Sequence, residues 1–300
     1  MRTFALSVVW LGLVACNKAP TKDDAPVATA TPPAAAAAPA TPSVSAPASA
    51  AAEGASATPS VTERKYAIVG VAANDVLNVR EKPDAGSKKV YSYAPSSKGI
   101  RTTGEHVEKG GTPWVEVVFE GGKGWVNRLY LSEQHPGGGC NDPALTAVIR
   151  AFMRAVVAAD GAALKAVVSP LRGLSVRPGE KVLKFPYAQV ETMFSSPTIL
   201  NLGPGGGGGP DLTGTFKEQL QPQLVKAVSG KGAKEVCGKL LTGSSTSMPP
   251  TLEQFPNVTP VSFHYADPEG GIGWVTWVGS IEYVDGKPYF SALDEFQWEP

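Results

Sequence analysis

The sequence predicts a multidomain chain in which a small all-β barrel precedes an α+β domain. Three observations carry that prediction. Between residues 65 and 132, short runs of β-branched and aromatic residues alternate with turn residues about every ten positions. From residue 142 apolar residues recur at three and four, the period of a helix with one buried face. Near the C-terminus, Trp274-Val275-Thr276-Trp277-Val278-Gly279-Ser280-Ile281-Glu282-Tyr283 reads as one long strand, and an Asp-Gly pair turns the chain back. Helices first and an antiparallel meander last define an α+β domain.

The chain opens with Met1-Arg2 and an almost unbroken apolar run over residues 4–14, ending at Leu13-Val14-Ala15-Cys16. A bilayer core takes roughly 20 apolar residues, so this run is too short to cross one. It fits the middle of a secretory leader. Small residues leading into a single cysteine resemble the lipobox of bacterial lipoproteins. The resemblance implies removal of a signal peptide over residues 1–15, a diacylglycerol thioether on Cys16 and acylation of its new amino group. A plain leader with an incidental cysteine is the bland alternative. One acyl chain holds a protein at a membrane only marginally, whereas two or three hold it firmly. Everything after Cys16 is then expected to be extracytoplasmic. Asn17 is not the aspartate that tends to keep proteobacterial lipoproteins at the inner membrane. In a cell with two membranes the outer one is favoured.

Residues 16–64 are mostly Ala, Pro, Thr and Ser, with almost no bulky apolar side chain. Such a segment buries too little surface to offset the entropy of ordering, and is expected to be a disordered linker. Its prolines favour extended conformations over helix despite the alanines. It would span roughly 40 Å as a coil and up to about 150 Å when extended. The chain as a whole balances 27 Lys and Arg against 27 Asp and Glu. That balance excludes the strongly basic footprint of a nucleic-acid binder, so no nucleic-acid partner is expected. Beyond Cys16 only Cys140 and Cys237 remain. In an oxidising compartment they make one disulfide, tying the start of the C-terminal domain to its middle; otherwise they are two buried thiols.

The barrel, residues 65–132, begins with Tyr66-Ala67-Ile68-Val69-Gly70-Val71, followed by a turn at Asn74-Asp75. Leu77-Asn78-Val79-Arg80 and Val90-Tyr91-Ser92-Tyr93 are strands on either side of the loop Pro83-Asp84-Ala85-Gly86. Trp114-Val115-Glu116-Val117-Val118-Phe119 turns at Glu120-Gly121-Gly122 into Gly124-Trp125-Val126-Asn127, and the unit closes at Tyr130-Leu131. This ordered set of motifs resembles a bacterial SH3 domain. The resemblance implies an SH3-like barrel of the kind found in envelope and cell-wall proteins, often binding peptidoglycan or cell-wall peptides and sometimes protein partners. The stretch from Ile100 to Thr112, with His106, Glu108 and Lys109-Gly110-Gly111, departs from that pattern as a longer polar insertion.

Trp114, Val117 and Val126 are expected in the barrel core, because a small barrel needs large side chains to fill it. Trp125, Tyr91 and Tyr93 are the candidate ligand contacts, their broad faces and polar edges suiting extended peptide or glycan. Arg80 has two readings: a brace for backbone carbonyls at the loop base, or a partner for a peptide carboxylate.

After Gln134-His135-Pro136-Gly137-Gly138-Gly139, a short flexible break, the α+β domain occupies residues 140–300. Asp142 caps a helix with Pro143 in its first position. Leu145, Val148, Ile149, Phe152, Val156 and Val157 line its apolar face, and Asp160-Gly161 ends it. A second helix runs over residues 162–168. Val182-Leu183-Lys184-Phe185 and Thr198-Ile199-Leu200 read as short strands. The glycine run at 203–210 is a loop, since no Lys-Ser or Lys-Thr follows to complete a phosphate loop. Residues 216–220 and 224–228 read as a helix broken around Pro222, with 234–241 continuing it. Val261-Ser262-Phe263-His264-Tyr265, the long strand and residues 289–298 form the meander. The order of elements is loosely similar to nuclear-transport-factor-like cones, which would provide an apolar pocket.

Cell-wall cysteine endopeptidases often carry SH3 modules, so Cys140 or Cys237 with His264 is the candidate catalytic pair. In those enzymes the nucleophile opens a helix within an Asp-Cys-Ser-Gly-like segment, which neither Cys140-Asn141-Asp142 nor Cys237-Gly238-Lys239 matches. No spacing of His, Cys or acidic residues points to a metal, and no cofactor is expected. The chain is therefore read as a non-catalytic, lipid-anchored envelope protein. Its SH3-like module would bind peptidoglycan or an envelope protein, with the C-terminal domain as an accessory or ligand-binding module. A cell-wall hydrolase with its active site in residues 140–300 and a purely structural envelope component are the alternatives.

Overall fold

Alternating β-branched and aromatic residues suit a pleated, half-buried surface, and they form strands from residue 65 onward. The structure, a computed structural model, describes residues 64–135, 139–204, 210–243, 255–266 and 273–297. Cys16, the leader and nearly all of the linker lie outside them, as do glycines 205–209 and residue 298. The first strands are β1 (Lys65–Ile68), β2 (Leu77–Arg80), β3 (Lys89–Tyr93), β4 (Ile100–Lys109), β5 (Thr112–Phe119), β6 (Gly122–Asn127) and β7 (Leu131–Glu133). They pair antiparallel in the order β3-β2-β6-β5-β4-β1-β7, a sheet curled into a half-barrel. Ile68, Leu77, Val79, Ile100, Val117, Val126 and Leu131 fill its concave face.

The stretch read as a longer polar insertion forms strand β4 and its turn into β5. Ile100 and Thr102 are buried, the register shifts between Thr102 and His106, and residues 105–109 run on as an exposed hairpin arm. Its polar composition reflects a strand with water on both faces.

The second region contains α1 (Pro143–Ala158), α2 (Gly161–Ala166), β8 (Leu174–Arg177), β9 (Leu183–Phe185), α3 (Tyr187–Val190), β10 (Leu200–Pro204), β11 (Asp211–Gly214), α4 (Phe216–Gln219), α5 (Gln221–Ser229), β12 (Lys234–Cys237), β13 (Thr259–Tyr265), β14 (Val275–Val284) and β15 (Lys287–Gln297). This is the expected α+β order, with helices α1 and α2 first and a meander of β13, β14 and β15 last. Asp142 caps α1 by accepting from the Ala144 N–H, and Pro143 needs no such acceptor. Asp160 caps α2 in the same way through the Ala163 N–H at 2.9 Å. Pro222 sits in the first turn of α5, where it divides α4 from α5 without leaving an orphan donor.

Six strands form a mixed sheet in the order β12-β13-β14-β15-β8-β9, in which β8 runs parallel to β15. Helices α1 and α5 cover one face of it, burying Val261, Phe263, Trp277, Ile281, Phe290 and Leu293. Phe152 of α1 lies in the centre, with its ring 4.3 Å from that of Phe290 and 5.4 Å from that of Phe263. The β14–β15 turn places Asp285 and Gly286 at φ 51° and 74°, the left-handed pair that an Asp-Gly hairpin needs.

Residues 234–241, read as continuing a helix, begin instead as strand β12. Lys234 to Cys237 pair in register with His264 to Val261, and Cys237 is bonded to Cys140. Pairing with a neighbouring strand outweighs a local helical pattern of only two turns.

All ten residues of β14 are buried. One face meets the helices. The other meets β7. On the neighbouring β13, Ser262 Oγ donates to Lys239 O at 2.7 Å and accepts from Leu241 N at 3.2 Å.

Residues Ser56–Pro300 form one unit, and the half-barrel and the α+β region share a bonded interface. Glu133 at the end of β7 accepts from the backbone N–H groups of Asp285 (3.0 Å) and Gly286 (2.7 Å). Arg64 bridges Glu133 and Asp285 at 3.1 and 3.0 Å. The Asn257 side-chain amide donates to Ile68 O at 2.7 Å, Pro95 O at 3.0 Å and Ser97 O at 3.2 Å. At the expected break, His135 stacks on Tyr283 at 5.1 Å. The Tyr283 hydroxyl accepts from the Gly139 N–H and donates to Asp142 Oδ2. Burial and the bond to Asp142 push Tyr283 up to about 12.

Candidate functional site

Strand parity decides which side chains of the half-barrel can meet a ligand. Leu77 and Val79 of β2 and Val115 and Val117 of β5 point into the core, so Asn78, Arg80, Trp114 and Glu116 point outward. In β6, Val126 points inward, and Trp125 and Asn127 point outward. Registry lines these outward residues up across the sheet: Arg80 opposite Trp125, Trp125 opposite Glu116, and Asn127 opposite Trp114. Trp114, expected in the core with Val117 and Val126, is 6% exposed but lies on the opposite face from them.

The loop between β1 and β2 lies over this outer face and buries Trp114. Between loop and sheet is a groove of about 370 Å³, lined by Asp75, Asn78, Arg80, Trp114, Asn127 and Tyr130, among others. Tyr130 belongs to the 3₁₀ turn Arg128–Tyr130, which Asn127 caps by accepting from the Leu129 N–H at 2.9 Å. Asp75 holds the opposite wall through its own turn, accepting from the Val76 N–H at 2.7 Å. Arg80 donates from Nη1 to Ser87 O at 2.8 Å, bracing the loop base as the first of its two readings required, while also lining the groove. Beyond it, Lys109 pairs with Asp84 at 2.9 Å and ties the β2–β3 loop to the β4–β5 arm. The hydrogen bond from Lys109, with that from the Gly86 N–H, holds the Asp84 carboxyl below the usual carboxylate range.

The four sequence-predicted contacts therefore divide between two faces. Arg80 and Trp125 are neighbours on the outer face, where Arg80 lines the groove and Trp125 does not. Tyr91 and Tyr93 stand opposite Val79 and Leu77, on the core side. There Tyr91 stacks on Phe119 at 4.8 Å and meets Tyr93 edge-on at 5.1 Å, so the three rings close the open mouth of the core. Tyr93 donates to Val118 O at 3.3 Å, and burial raises its pKa. Sequence reading missed Asp75, Asn78, Asn127 and Tyr130. Parity of the strands was the available signal for Asn78 and Asn127. None was available for Asp75 and Tyr130, which come from loops.

Chemically, the groove offers the exposed ring of Tyr130 beside a buried Trp114, side-chain amides and one charge of each sign. Aromatic faces stack on the apolar faces of sugars or peptide side chains, and amides satisfy their hydroxyl and peptide groups. Elsewhere, Cys140 and Cys237 form a disulfide with Cα atoms 5.5 Å apart. A bonded sulfur is no thiolate nucleophile. The His264 Nδ1 lies 2.7 Å from Thr276 Oγ1, and burial lowers its pKa, with nearby Lys234 adding to the effect. Among the described residues, no group of three or more His, Cys, Asp or Glu side chains gathers to hold a metal ion. Among the same residues, no helix is long and apolar enough to cross a membrane. No protein-family model matches the chain, and no curated protein matches it.

Proposed function

We propose that this chain is a non-catalytic, lipid-anchored envelope protein whose SH3-like half-barrel binds peptidoglycan or an envelope partner through the outer-face groove. The observation that carries the reading is the groove itself. Tyr130 supplies flat apolar surface above the buried Trp114, while Asn78, Asn127, Asp75 and Arg80 supply donors and acceptors in a space of about 370 Å³. That mixture suits a sugar or an extended stem peptide better than an apolar or highly charged ligand. The disulfide supports an oxidising, extracytoplasmic setting. The Leu13-Val14-Ala15-Cys16 pattern, followed by a long Ala- and Pro-rich segment, supports an anchor on Cys16 with the folded part held away from the membrane.

Co-sedimentation of residues 17–300 with purified sacculi tests the ligand. We expect binding that Arg80→Ala and Tyr130→Ala each weaken about ten-fold, and that Tyr91→Ala, on the other face, leaves unchanged. A chain that stays in solution with sacculi sinks the peptidoglycan reading. Palmitate labelling of the full chain, abolished by Cys16→Ala, tests the anchor.

A further inference from the structure

The six-stranded sheet ends at β9, which pairs with β8 along one edge and, among the described residues, has no strand along the other. A cleft of about 580 Å³ follows that open edge. Val182, Leu183, Lys184 and Phe185, consecutive in sequence, all line it. Successive side chains of a strand point to opposite faces, so these residues share the cleft through their backbone edge. Among the described residues, none hydrogen-bonds the outer edge of β9. The floor is apolar: Phe185 meets Phe216 edge-on at 5.7 Å, and Met193 lies beside them, 2% exposed. The far rim is uncharged, formed by Gln189, Thr192, Ser196 and Thr198, and Lys184 is the one charged residue of the lining. Glu191, which follows α3, is occupied by Lys165 at 2.7 Å.

We propose that this cleft binds an extended peptide segment of a partner protein, added as a further strand along β9. One large apolar side chain of the peptide enters the floor between Phe185, Met193 and Phe216, and an acidic residue lies beside Lys184. The backbone edge decides between a peptide and an alkyl chain. An alkyl chain over the same floor would cover the N–H and C=O groups of β9 and leave them without partners, which is costly. A peptide strand satisfies them, and its alternate side chains reach the floor.

The test begins with a displayed library of linear peptides, selected on residues 17–300 with the disulfide intact; the best peptide, made synthetically, is the probe. We expect it to shift the amide resonances of Leu183, Lys184 and Phe185. Thr198→Trp, which places an indole on the exposed rim, and Lys184→Glu are each expected to weaken it about ten-fold. N-methylation of the peptide is expected to abolish binding at alternate positions only. A selection that yields no peptide overturns the proposal, as does binding unaffected by both variants or by N-methylation at every position. Self-association that Thr198→Trp abolishes would also overturn it, assigning the edge to a second copy of the chain.

Discussion

Glu295 is the residue whose surroundings differ most from what its chemistry prefers. It stands directly opposite Trp277 on the helix-side face of the sheet. The Glu295 Oε1 and the Trp277 Nε1 are both buried without a hydrogen-bond partner. Burial alone pushes the carboxyl up to about 8, from an ordinary 4.5. The folded chain therefore holds a proton that the unfolded chain releases, and stability falls as pH rises through that window. The penalty is absent below the lower value and complete above the upper one, where it is of order 5 kcal/mol. Glu295→Gln is expected to remove most of this slope, raising the melting temperature at about pH 9 and changing little at about pH 4. Thermal unfolding of both proteins across that range checks it; parallel curves would show that Glu295 ionises freely. The Arg172–Glu282 contact, 2.8 Å between Arg172 Nε and Glu282 Oε2, is a buried ion pair without hydrogen-bond alignment at Nε. Burial lowers the Arg172 pKa, and Glu282 opposes that shift. Arg172→Met would leave the Glu282 carboxylate alone and is expected to cost about 3–5 kcal/mol in urea unfolding.

Among the elements, β6 lies close against β2. A Cβ added at Gly124 would lie 2.7 Å from Val79 Cγ1 and 2.8 Å from Arg80 O. Gly124→Ala must push β2 away from β6, at an expected cost of about 1–3 kcal/mol. Because Arg80 moves with β2, the groove should be lost with the packing, which urea unfolding and sacculus binding of the same variant would measure together. Strand β12 is fixed differently. Its last residue, Cys237, is bonded to Cys140 across a sequence separation of 97 residues. Closing a loop of that length restricts the unfolded chain by about 4–5 kcal/mol in the entropic account. Replacing both cysteines by serine should lower the urea midpoint correspondingly; an unchanged midpoint would mean that pairing with β13 suffices.

At the scale of the molecule, the half-barrel and the six-stranded sheet are joined by polar contacts that a short break in the sequence does not announce. Glu133 caps the β14–β15 turn through two backbone N–H groups, and Asn257 gathers carbonyls from β1 and the loop before β4. Hydrogen bonds to a buried carboxylate are worth about 1.5–3 kcal/mol. Residues 56–300 should therefore unfold in one calorimetric transition. Glu133→Ala combined with Asn257→Ala should resolve it into two, whereas a single transition in the double variant would place the coupling elsewhere.

Local pattern was enough for much of this. The cap at Asp142, the apolar stripe of α1, the Asp285-Gly286 hairpin and the order of half-barrel then α+β were all legible, because each rests on residues a few positions apart; Asp160, read as the end of α1, also caps α2. Residues 234–241 were not legible: their short helical pattern yields to pairing with β13, a partner more than twenty residues away. The groove was half legible. Parity places Asn78, Arg80 and Asn127 on the groove's face and removes Tyr91 and Tyr93 to the other, but the wall beside Trp114 comes from a loop whose course only packing fixes. The chain alone determined the strands of the half-barrel, helices α1 and α2 and the C-terminal meander, since those rest on periodicity and capping. Which faces meet, which edge of β9 stays open and which sulfurs bond depended on tertiary structure, because contacts between distant residues follow from how whole elements stack.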